Sequence, residues 1–355
     1  MRRALDLLFA LRPLLWIPAV ALYGAGSAWG SAARAAARAG GGSRGAARFP
    51  GADGPASGTG PWETALPLAS LLLILAAVHA ANAWRDREGD RRNEKGRALA
   101  RGLVSRGDLA RAGALAVALA AAIAIAPPLT PAVRALLVAA AALGAAYAAP
   151  GISLKERAGL DLASHAAGYG VVAFLLGAAV SGALPDGSPA AWRDALFASL
   201  PYAIGVGSVS LLTMIADAPG DAAAGQRTLA VRLGADRSWA LAGLLAWGAA
   251  LTGLIAVEAA PAIWGVAAGA TLGLGPDRSR RTAAGAPGAR RVNRLAIGLQ
   301  LLFLALLLPL APWTGVVAAV LGVAASAYDR VRFGEGYPLA RILASGRARG
   351  GESRA

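Results

Sequence analysis

The chain has no cysteine among its 355 residues, and this absence excludes whole classes of site. Disulfide bonds cannot form, and neither can metal centres that need thiolate ligands. A metal site in this chain must therefore use other ligands.

Aromatic residues are few, at 6% of the chain, and they are not interleaved with a basic face. The formal net charge of +15 would otherwise suggest a nucleic acid partner. The arginines lie in loops between apolar runs instead, which is the distribution that orients a membrane protein in its bilayer. We therefore expect no nucleic acid partner.

Long apolar runs dominate the chain, which is 56% hydrophobic with a mean hydropathy of +0.52. A helix needs about 20 apolar residues to span a bilayer, and the runs approach or exceed that length. We predict a multi-pass membrane protein of eight to ten spans, because the eighth and tenth are short. The predicted spans are 5–28, 64–83, 107–126, 131–149, 160–183, 191–215, 238–257, 260–275, 295–311 and 313–328.

Most basic residues fall on one side of these spans, which predicts that this side faces the cytoplasm across an inner membrane. Residues 31–61, on the opposite side, are rich in Gly, Ala, Ser and Pro. We expect them to form a disordered or weakly helical loop insertion. One transmembrane domain is assigned to residues 1–330 and a basic cytoplasmic tail to 331–355.

Two acidic groups follow apolar runs on the predicted cytoplasmic side, about 130 residues apart. The first places Asn82, Asp86 and Asp90 at i, i+4 and i+8, and the second places Asp217 and Asp221 at i and i+4. This spacing puts the side chains on one face of a helix. Carboxylates at membrane depth are costly without a partner. The two groups therefore predict a divalent cation and a charged substrate.

Magnesium suits these oxygen ligands best, because it is commonly held by one or two carboxylates together with substrate phosphates. Two divalent ions would balance the four aspartates, so a bound diphosphate would need basic partners of its own. Arginine forks match phosphate oxygens, and lysine supplies a point charge. The candidates are Arg91, Arg92, Lys95, Arg97, Lys155, Arg157 and Arg227.

These motifs resemble those of the UbiA-type intramembrane prenyltransferases. The first acidic group, followed by Asn93 and Gly102, is similar to the first aspartate-rich motif of that family. The second group, continuing into AAAGQRTLAVRLG (222–234), is similar to the second motif. The segments LRPLLW (11–16) and YAAPGISLKERAGLD (147–161) also resemble family segments. The resemblance covers about residues 5–330, apart from 31–61.

The resemblance implies an all-α membrane bundle of about nine transmembrane helices around a central cavity, capped by cytoplasmic loops. It also implies Mg²⁺-dependent transfer of a prenyl group from an isoprenoid diphosphate to an acceptor through an allylic cation. By position, the metal and diphosphate shell would be Asn82, Asp86, Asp90, Asp217 and Asp221, with the four aspartates catalytic. Diphosphate contacts would come from Asn82, Arg97, Lys155 and Arg227.

The acceptor is less well defined by the motifs. An aromatic quinone precursor, a hydroxybenzoate or a naphthoate, is the type expected first, with a tetrapyrrole, a glycerol phosphate lipid or a sugar phosphate as alternatives. Two departures from the family pattern place the acceptor in doubt. Thr213 stands where a further acid is often found, and Glu94–Ala98 replaces a proline-containing segment. Prenyl chain length and oligomeric state are not determined by the sequence.

Several residues near the motifs also have structural interpretations. His79 and His165 are expected to be structural, and the aromatic candidates for stabilising a cation are Tyr147, Tyr169, Phe174 and Tyr202.

A cation-coupled transporter is the non-enzyme alternative, but it would need acids nearer the bilayer centre. Phosphatidyl transfer would need its aspartates within one short stretch, and here they are widely separated.

Overall fold

A computed structural model describes residues 2–39, 61–86, 90, 97–127, 129–185, 188–273 and 286–334. Within these ranges the regular structure is entirely helical. The first seven helices are α1 (Arg2–Ala10), α2 (Ile17–Arg38), α3 (Pro61–Arg85), α4 (Arg97–Ala100), α5 (Arg106–Ala124), α6 (Pro131–Ala148) and α7 (Leu160–His165). The remaining seven are α8 (Ala173–Val180), α9 (Pro189–Ala223), α10 (Leu229–Leu233), α11 (Ala235–Ala256), α12 (Ala259–Gly273), α13 (Ala286–Leu307) and α14 (Pro312–Phe333). Short 3₁₀ turns occupy Pro13–Trp16 and Leu154–Glu156, and a π-helical segment, Ala166–Val172, joins α7 to α8.

Seven helical segments in the described ranges are long and apolar enough to cross a membrane. An eighth is added if α1 and the segment Pro13–Arg38, which meet at 46°, form one bent span. Helix α12 and residues Val292–Leu307 of α13 are apolar but shorter. The prediction of a multi-pass helical bundle is therefore confirmed. The eighth predicted span is short as expected, but the expectation of a short tenth span was wrong, because α14 continues to Phe333 and has 22 residues; the ninth is the other short one.

Helices α2 and α8 pack backbone to backbone through glycines. A Cβ atom at Gly26 would overlap the carbonyl group of Phe174, and one at Gly177 would overlap the carbonyl of Tyr23. Small residues allow this close approach in lipid, where shape matching drives helix association. Gly170 of the π-helical segment meets Ala203 of α9 in the same way.

Aromatic rings connect the helices at the centre of the core. Phe174 lies 5.1 Å from Tyr202, which lies 6.2 Å from Phe303, and Phe303 lies 5.1 Å from Trp264, all between ring centroids. Tyr202 and Trp264 are fully buried, and the Trp264 indole donates to the carbonyl of Leu299 at 2.8 Å. Large buried rings of this kind contribute strongly to packing and satisfy their polar atoms.

A smaller apolar cluster lies beside the end of α3, just before the first acidic group. It joins the end of α3 to α4 and α5 through Ala83, Leu99 and Leu109, with Leu7 of α1 packed against it. Ser105 and Asp108 form a capping box that fixes the start of α5. Helix α1 is thereby held next to the end of α3, which leads into the first acidic group.

The first part of the segment 31–61 is helical. Helix α2 continues to Arg38, so residues 31–38 are ordered helix. Arg34 donates to the carbonyl of Ser181 at the end of α8, and Gly30 packs against the same serine. Alanine favours helix strongly, and these tertiary contacts hold the extension. Residues 40–60 of the predicted insertion lie outside the described ranges.

Candidate active site

The first acidic group continues the hydrogen-bond pattern of α3 beyond the end of the helix. The backbone N–H of Asp86 donates to the carbonyl of Asn82 at 2.8 Å, and that of Asp90 donates to the carbonyl of Asp86 at 2.7 Å. These are the i to i+4 bonds of a helix. Both bonds are those that a shared helical face of the three side chains requires.

The second acidic group lies within a helix rather than after one. Helix α9 runs without interruption through the predicted end of the span at residue 215 and includes both Asp217 and Asp221. Pro219 lies between them, inside the last turns. Both aspartates are half-buried, and both have partners. Their spacing again places them on one face.

Asp86 contacts Lys155 and the turn that follows the second acidic group. Lys155 donates from Nζ to its Oδ1 at 2.5 Å, and Gln226 donates from Nε2 to the same oxygen at 3.3 Å. Gln226 follows Asp221 by five residues, so the turn after α9 contacts the end of α3. Lys155 is 6% exposed and the Asp86 side chain is 24% exposed. Partial burial strengthens such a charge-assisted bond, and it also raises the cost of breaking it.

Arg12 is a site residue that the sequence analysis missed. Its guanidinium pairs with Asp90 across 78 positions of the chain. Arg12 has a φ of 56°, in the left-handed region, at the break between α1 and the 3₁₀ turn that precedes α2. The segment LRPLLW was noted only for its resemblance to a family segment, and no local pattern distinguishes Arg12 from an orientation arginine.

Asp161 holds the turn after the second acidic group. Its Oδ1 accepts backbone N–H bonds from Gly159 and Leu162, and its Oδ2 accepts one from Leu229 at 2.7 Å. The residue is 1% exposed. Because Leu229 begins α10, this carboxylate ties the start of α10 to α7. It positions the turn that contains Gln226 and Arg227.

Asn82 has a buried side-chain oxygen that is available to a metal ion. Its side-chain carbonyl oxygen is buried and has no hydrogen-bond partner within the described ranges. Such an orphaned acceptor costs about 1–3 kcal/mol. An amide oxygen and four carboxylates are hard ligands of the kind Mg²⁺ takes. The residues present therefore fit magnesium.

The described residues do not gather three or more Asp, Glu or His side chains into one metal-binding group. They instead bring Asp86 and Asp90 against cationic side chains and against the turn after the second group. Lys155 pairs with Asp86 and Arg227 is exposed in the turn, and a diphosphate contact by either residue stays a prediction. The side chain of Arg97 lies outside the described set, as do residues 91–96.

A second polar cluster lies between α6, α7 and α9, near the acidic groups. The Nε2 atom of His165 is 2.9 Å from the Tyr147 hydroxyl, and its Nδ1 is 3.4 Å from Ser210 Oγ. Tyr169 meets the imidazole edge-on, with ring centroids 6.0 Å apart. These four side chains retain some accessible surface although helices surround them.

Solved structures of similar fold include a UbiA homolog from Archaeoglobus fulgidus bound to GPP and Mg²⁺. It aligns with a TM-score of 0.60 and 16% identity, over 85% of this chain and 99% of that one. A structure reported for digeranylgeranylglyceryl phosphate synthase in membranes aligns with a TM-score of 0.56 and 15% identity, over 86% and 98% of the two chains. At these identities the likeness establishes the fold alone.

Curated relatives include digeranylgeranylglyceryl phosphate synthase of Halobacterium salinarum, which is 35% identical over 192 residues. The aligned part is 54% of this chain, and it spans 64% of the relative's length. The sequence model of the UbiA prenyltransferase family matches residues 52–278, which is more than half of the chain and includes both acidic groups. The protein therefore belongs to the UbiA prenyltransferase family.

Proposed function

We propose that this protein transfers a prenyl group from an isoprenoid diphosphate to a hydroxyl group of a glycerol phosphate lipid, with Mg²⁺ as cofactor. The observation that carries the proposal is the 35% identity to an enzyme named for a glyceryl phosphate product. This relative favours the non-aromatic acceptor over the hydroxybenzoate or naphthoate acceptor expected first. The chemistry is then formation of an ether bond rather than alkylation of an aromatic ring.

The acidic groups supply the anchoring that the proposal needs. Asn82, Asp86, Asp90, Asp217 and Asp221 would hold Mg²⁺ against the diphosphate. Bound Mg²⁺ would supply positive charge that stabilises the departing diphosphate. In the structure, Lys155 pairs with Asp86 and Arg12 pairs with Asp90. Once the substrate is present, these two cationic side chains would also bind phosphate oxygens and stabilise their negative charge.

The helices around the site would keep water from an allylic cation. An apolar groove of about 450 Å³ lies between α3, α5 and α6 and reaches Ala81 and Ala148, adjacent in sequence to Asn82 and Tyr147. Exclusion of water protects a reactive intermediate from hydrolysis. Because both substrates have hydrocarbon chains, the lipid bilayer is the expected source of each. The side of the membrane proposed for the site is the cytoplasmic one, from the distribution of basic residues.

Purified protein in nanodiscs tests the proposal with labelled geranylgeranyl diphosphate, Mg²⁺ and three acceptors. The acceptors are a glycerol phosphate with one prenyl ether, 4-hydroxybenzoate and a dihydroxynaphthoate. We expect Mg²⁺-dependent label transfer to the glycerol phosphate lipid only, and loss of transfer in an Asp86→Ala, Asp217→Ala double variant. Transfer to an aromatic acceptor alone would reject the proposed acceptor while retaining the reaction type.

Asp194→Ala provides the matched control, because Asp194 lies on α9 as Asp217 does, but near its opposite end. It pairs with the neighbouring Arg193 at 3.0 Å, and about 34 Å of helix separates it from Asp217. We expect this variant to transfer label at the rate of the unmodified protein. Equal loss in both variants would indicate damage to α9 instead of loss of ligands.

A further inference from the structure

His165 and Tyr147 form a hydrogen-bonded pair that the anchoring of the diphosphate does not use. The Tyr147 hydroxyl lies 2.9 Å from Nε2 of His165, and Ser210 Oγ lies 3.4 Å from Nδ1. If Nδ1–H donates to Ser210, then Nε2 holds the free lone pair and accepts from Tyr147. This tautomer leaves an imidazole able to accept a proton through the phenol.

The pair lies below the carboxylates, on the side toward the membrane interior. Ser210, Asp217 and Asp221 stand at i, i+7 and i+11 on α9, which places them on one face of that helix. Seven residues of helix separate Ser210 from Asp217 by about 10 Å along the axis. A diphosphate held by the aspartates would therefore place its first carbon between them and the His165 pair.

Tyr147 lies next to the first acidic group as well. The carbonyl of Ala148, the following residue, accepts a hydrogen bond from Arg85 at 2.7 Å, and Arg85 precedes Asp86. The end of α6 that includes Tyr147 therefore lies against the end of α3 that leads into the first acidic group, and we take the phenol as the side of the pair nearer the reacting oxygen. This order suits a relay that starts at the reacting oxygen and ends on His165.

The backbone after His165 is unusual in a way that supports a functional role. Residues Ala166–Val172 are π-helical, beginning directly after His165. Such wide turns are rare within helices and are frequent at functional sites. The wide turn also brings Gly170 against Ala203 of α9, which fixes the height of His165 beside Ser210.

Formation of an ether from a hydroxyl group requires a proton acceptor. The carboxylates near the pair are already engaged in the described structure, Asp86 with Lys155 and Asp161 with three backbone N–H groups. Asp217 and Asp221 belong to the proposed metal shell. Among the described residues, His165 is the histidine whose two ring nitrogens have partners on two other helices, Tyr147 on α6 and Ser210 on α9.

We propose that His165, acting through Tyr147, takes the proton of the acceptor's hydroxyl group; this inference rests on the proposed function. The bond between the prenyl C1 and the diphosphate oxygen breaks, and its electron pair leaves with the diphosphate. The acceptor oxygen forms the new bond to C1 and gives its proton to Tyr147 Oη. Tyr147 gives its own proton to His165 Nε2, and the resulting imidazolium is stabilised by the bond from Nδ1–H to Ser210 Oγ. General-base assistance of this kind contributes about 100- to 10,000-fold to a rate.

The chain contains one other histidine, which provides a matched comparison. His79 is 8% exposed on α3, one turn before Asn82, and its Nε2 has no partner within the described ranges. It lacks the phenol and hydroxyl partners that define a relay. A His79→Asn variant therefore removes a buried imidazole without removing the proposed proton acceptor.

The test measures two products from labelled geranylgeranyl diphosphate and Mg²⁺ in nanodiscs: the ether lipid and free prenyl alcohol. In His165→Ala and Tyr147→Phe we expect ether formation to fall by at least about 100-fold while diphosphate release continues, because water then captures the cation. Added imidazole should restore ether formation in His165→Ala and not in Tyr147→Phe. His79→Asn should keep the ratio of ether to alcohol found in the unmodified protein.

The outcomes separate the inference from the proposed function. If the unmodified protein forms no ether with any glycerol phosphate lipid, the proposed function fails and the inference falls with it. If the unmodified protein forms ether and His165→Ala does so at the same rate, only the inference fails. Loss in His165→Ala without imidazole rescue would mean that His165 is structural, and a shift of the product ratio in His79→Asn would assign the proton to His79 instead.

Discussion

Gln226 donates a hydrogen bond from its side-chain amide to Oδ1 of Asp86 at 3.3 Å, across 140 positions of the chain. This contact joins the turn after the second acidic group to the first acidic group. The same oxygen accepts from Lys155 at 2.5 Å. Asp86 is therefore the residue on which three separate segments converge, and the predictions below begin with its surroundings.

The orphaned oxygen of Asn82 leads to a prediction of opposite effects on stability and function. Asn82→Leu removes a buried acceptor that has no partner among the residues the structure describes, so we expect the Mg²⁺-free protein to keep or raise its melting temperature. The same variant should lose part of the stabilisation that Mg²⁺ and an isoprenoid diphosphate give together. Thermal melting in nanodiscs with and without both ligands measures each effect. A lower melting temperature without ligands would show that Asn82 has a structural partner.

The pair of Asp86 and Lys155 should behave as a coupled, partly buried ion pair. Asp86→Asn leaves the Lys155 ammonium buried without its counter-charge, at a cost of about 1–3 kcal/mol once the exposure of Asp86 is allowed for. The Asp86→Asn, Lys155→Met double variant should recover most of that loss but not the transfer activity. Unfolding free energies from a double-mutant cycle test this. Arg3→Ala is the control, because Arg3 pairs with Asp108 while 77% exposed and should cost little.

Asp161 should act as a positioning residue for the turn after α9. In Asp161→Asn the amide cannot accept from every backbone N–H that the two carboxylate oxygens bind, and we expect a loss of about 1–3 kcal/mol. The displaced turn should weaken diphosphate binding, so KM for the diphosphate should rise more than kcat falls. Steady-state kinetics with varied diphosphate distinguish the two. A fall in kcat with KM unchanged would instead assign Asp161 to the chemical step.

Two glycine substitutions should change the melting temperature in opposite directions. Gly177→Ala places a Cβ against the Tyr23 carbonyl in the contact of α2 with α8, so the helices must separate and the melting temperature should fall. Gly298→Ala in α13 meets no atom of the described residues within 4 Å, and alanine there should raise stability by up to about 1 kcal/mol. Melting in detergent compares both variants with the unmodified protein. Equal losses would mean that α13 packs more closely than its open glycine indicates.

Glu258 should make stability depend on pH. It lies in the turn between α11 and α12, and burial raises its pKa from 4.5 to about 7, although the bond from the Tyr202 hydroxyl, at 2.7 Å, opposes the rise. The folded state therefore binds a proton more tightly than the unfolded chain does. The contribution of Glu258 to the free energy of unfolding should therefore be greatest below pH 4.5. It should decrease as the pH rises from 4.5 to about 7.

Glu258→Gln removes the ionisable group and retains an acceptor for Tyr202, so it should flatten the dependence between those pH values. Melting temperatures at a series of pH values measure the slope. Asp236→Asn, at an exposed position near the start of α11, should leave the slope unchanged. A slope that persists in Glu258→Gln would assign the effect to another group.

The sequence by itself determined the elements and the acidic motifs, because both depend on local regularities. Apolar runs of bilayer length become helices wherever backbone polar groups must be satisfied within the segment. The spacing of Asn82, Asp86 and Asp90 matches the helical hydrogen bonds seen at those residues. The family resemblance rested on the same local patterns.

The tertiary structure alone decided which side chains meet the carboxylates. Arg12 reaches Asp90, and Gln226 reaches Asp86, only because separate helices pack in one particular arrangement. The polar cluster at His165 depends likewise on a π-helical turn and on the contact of Gly170 with Ala203. Contacts between distant segments depend on shape matching among many side chains, which short-range sequence patterns do not encode.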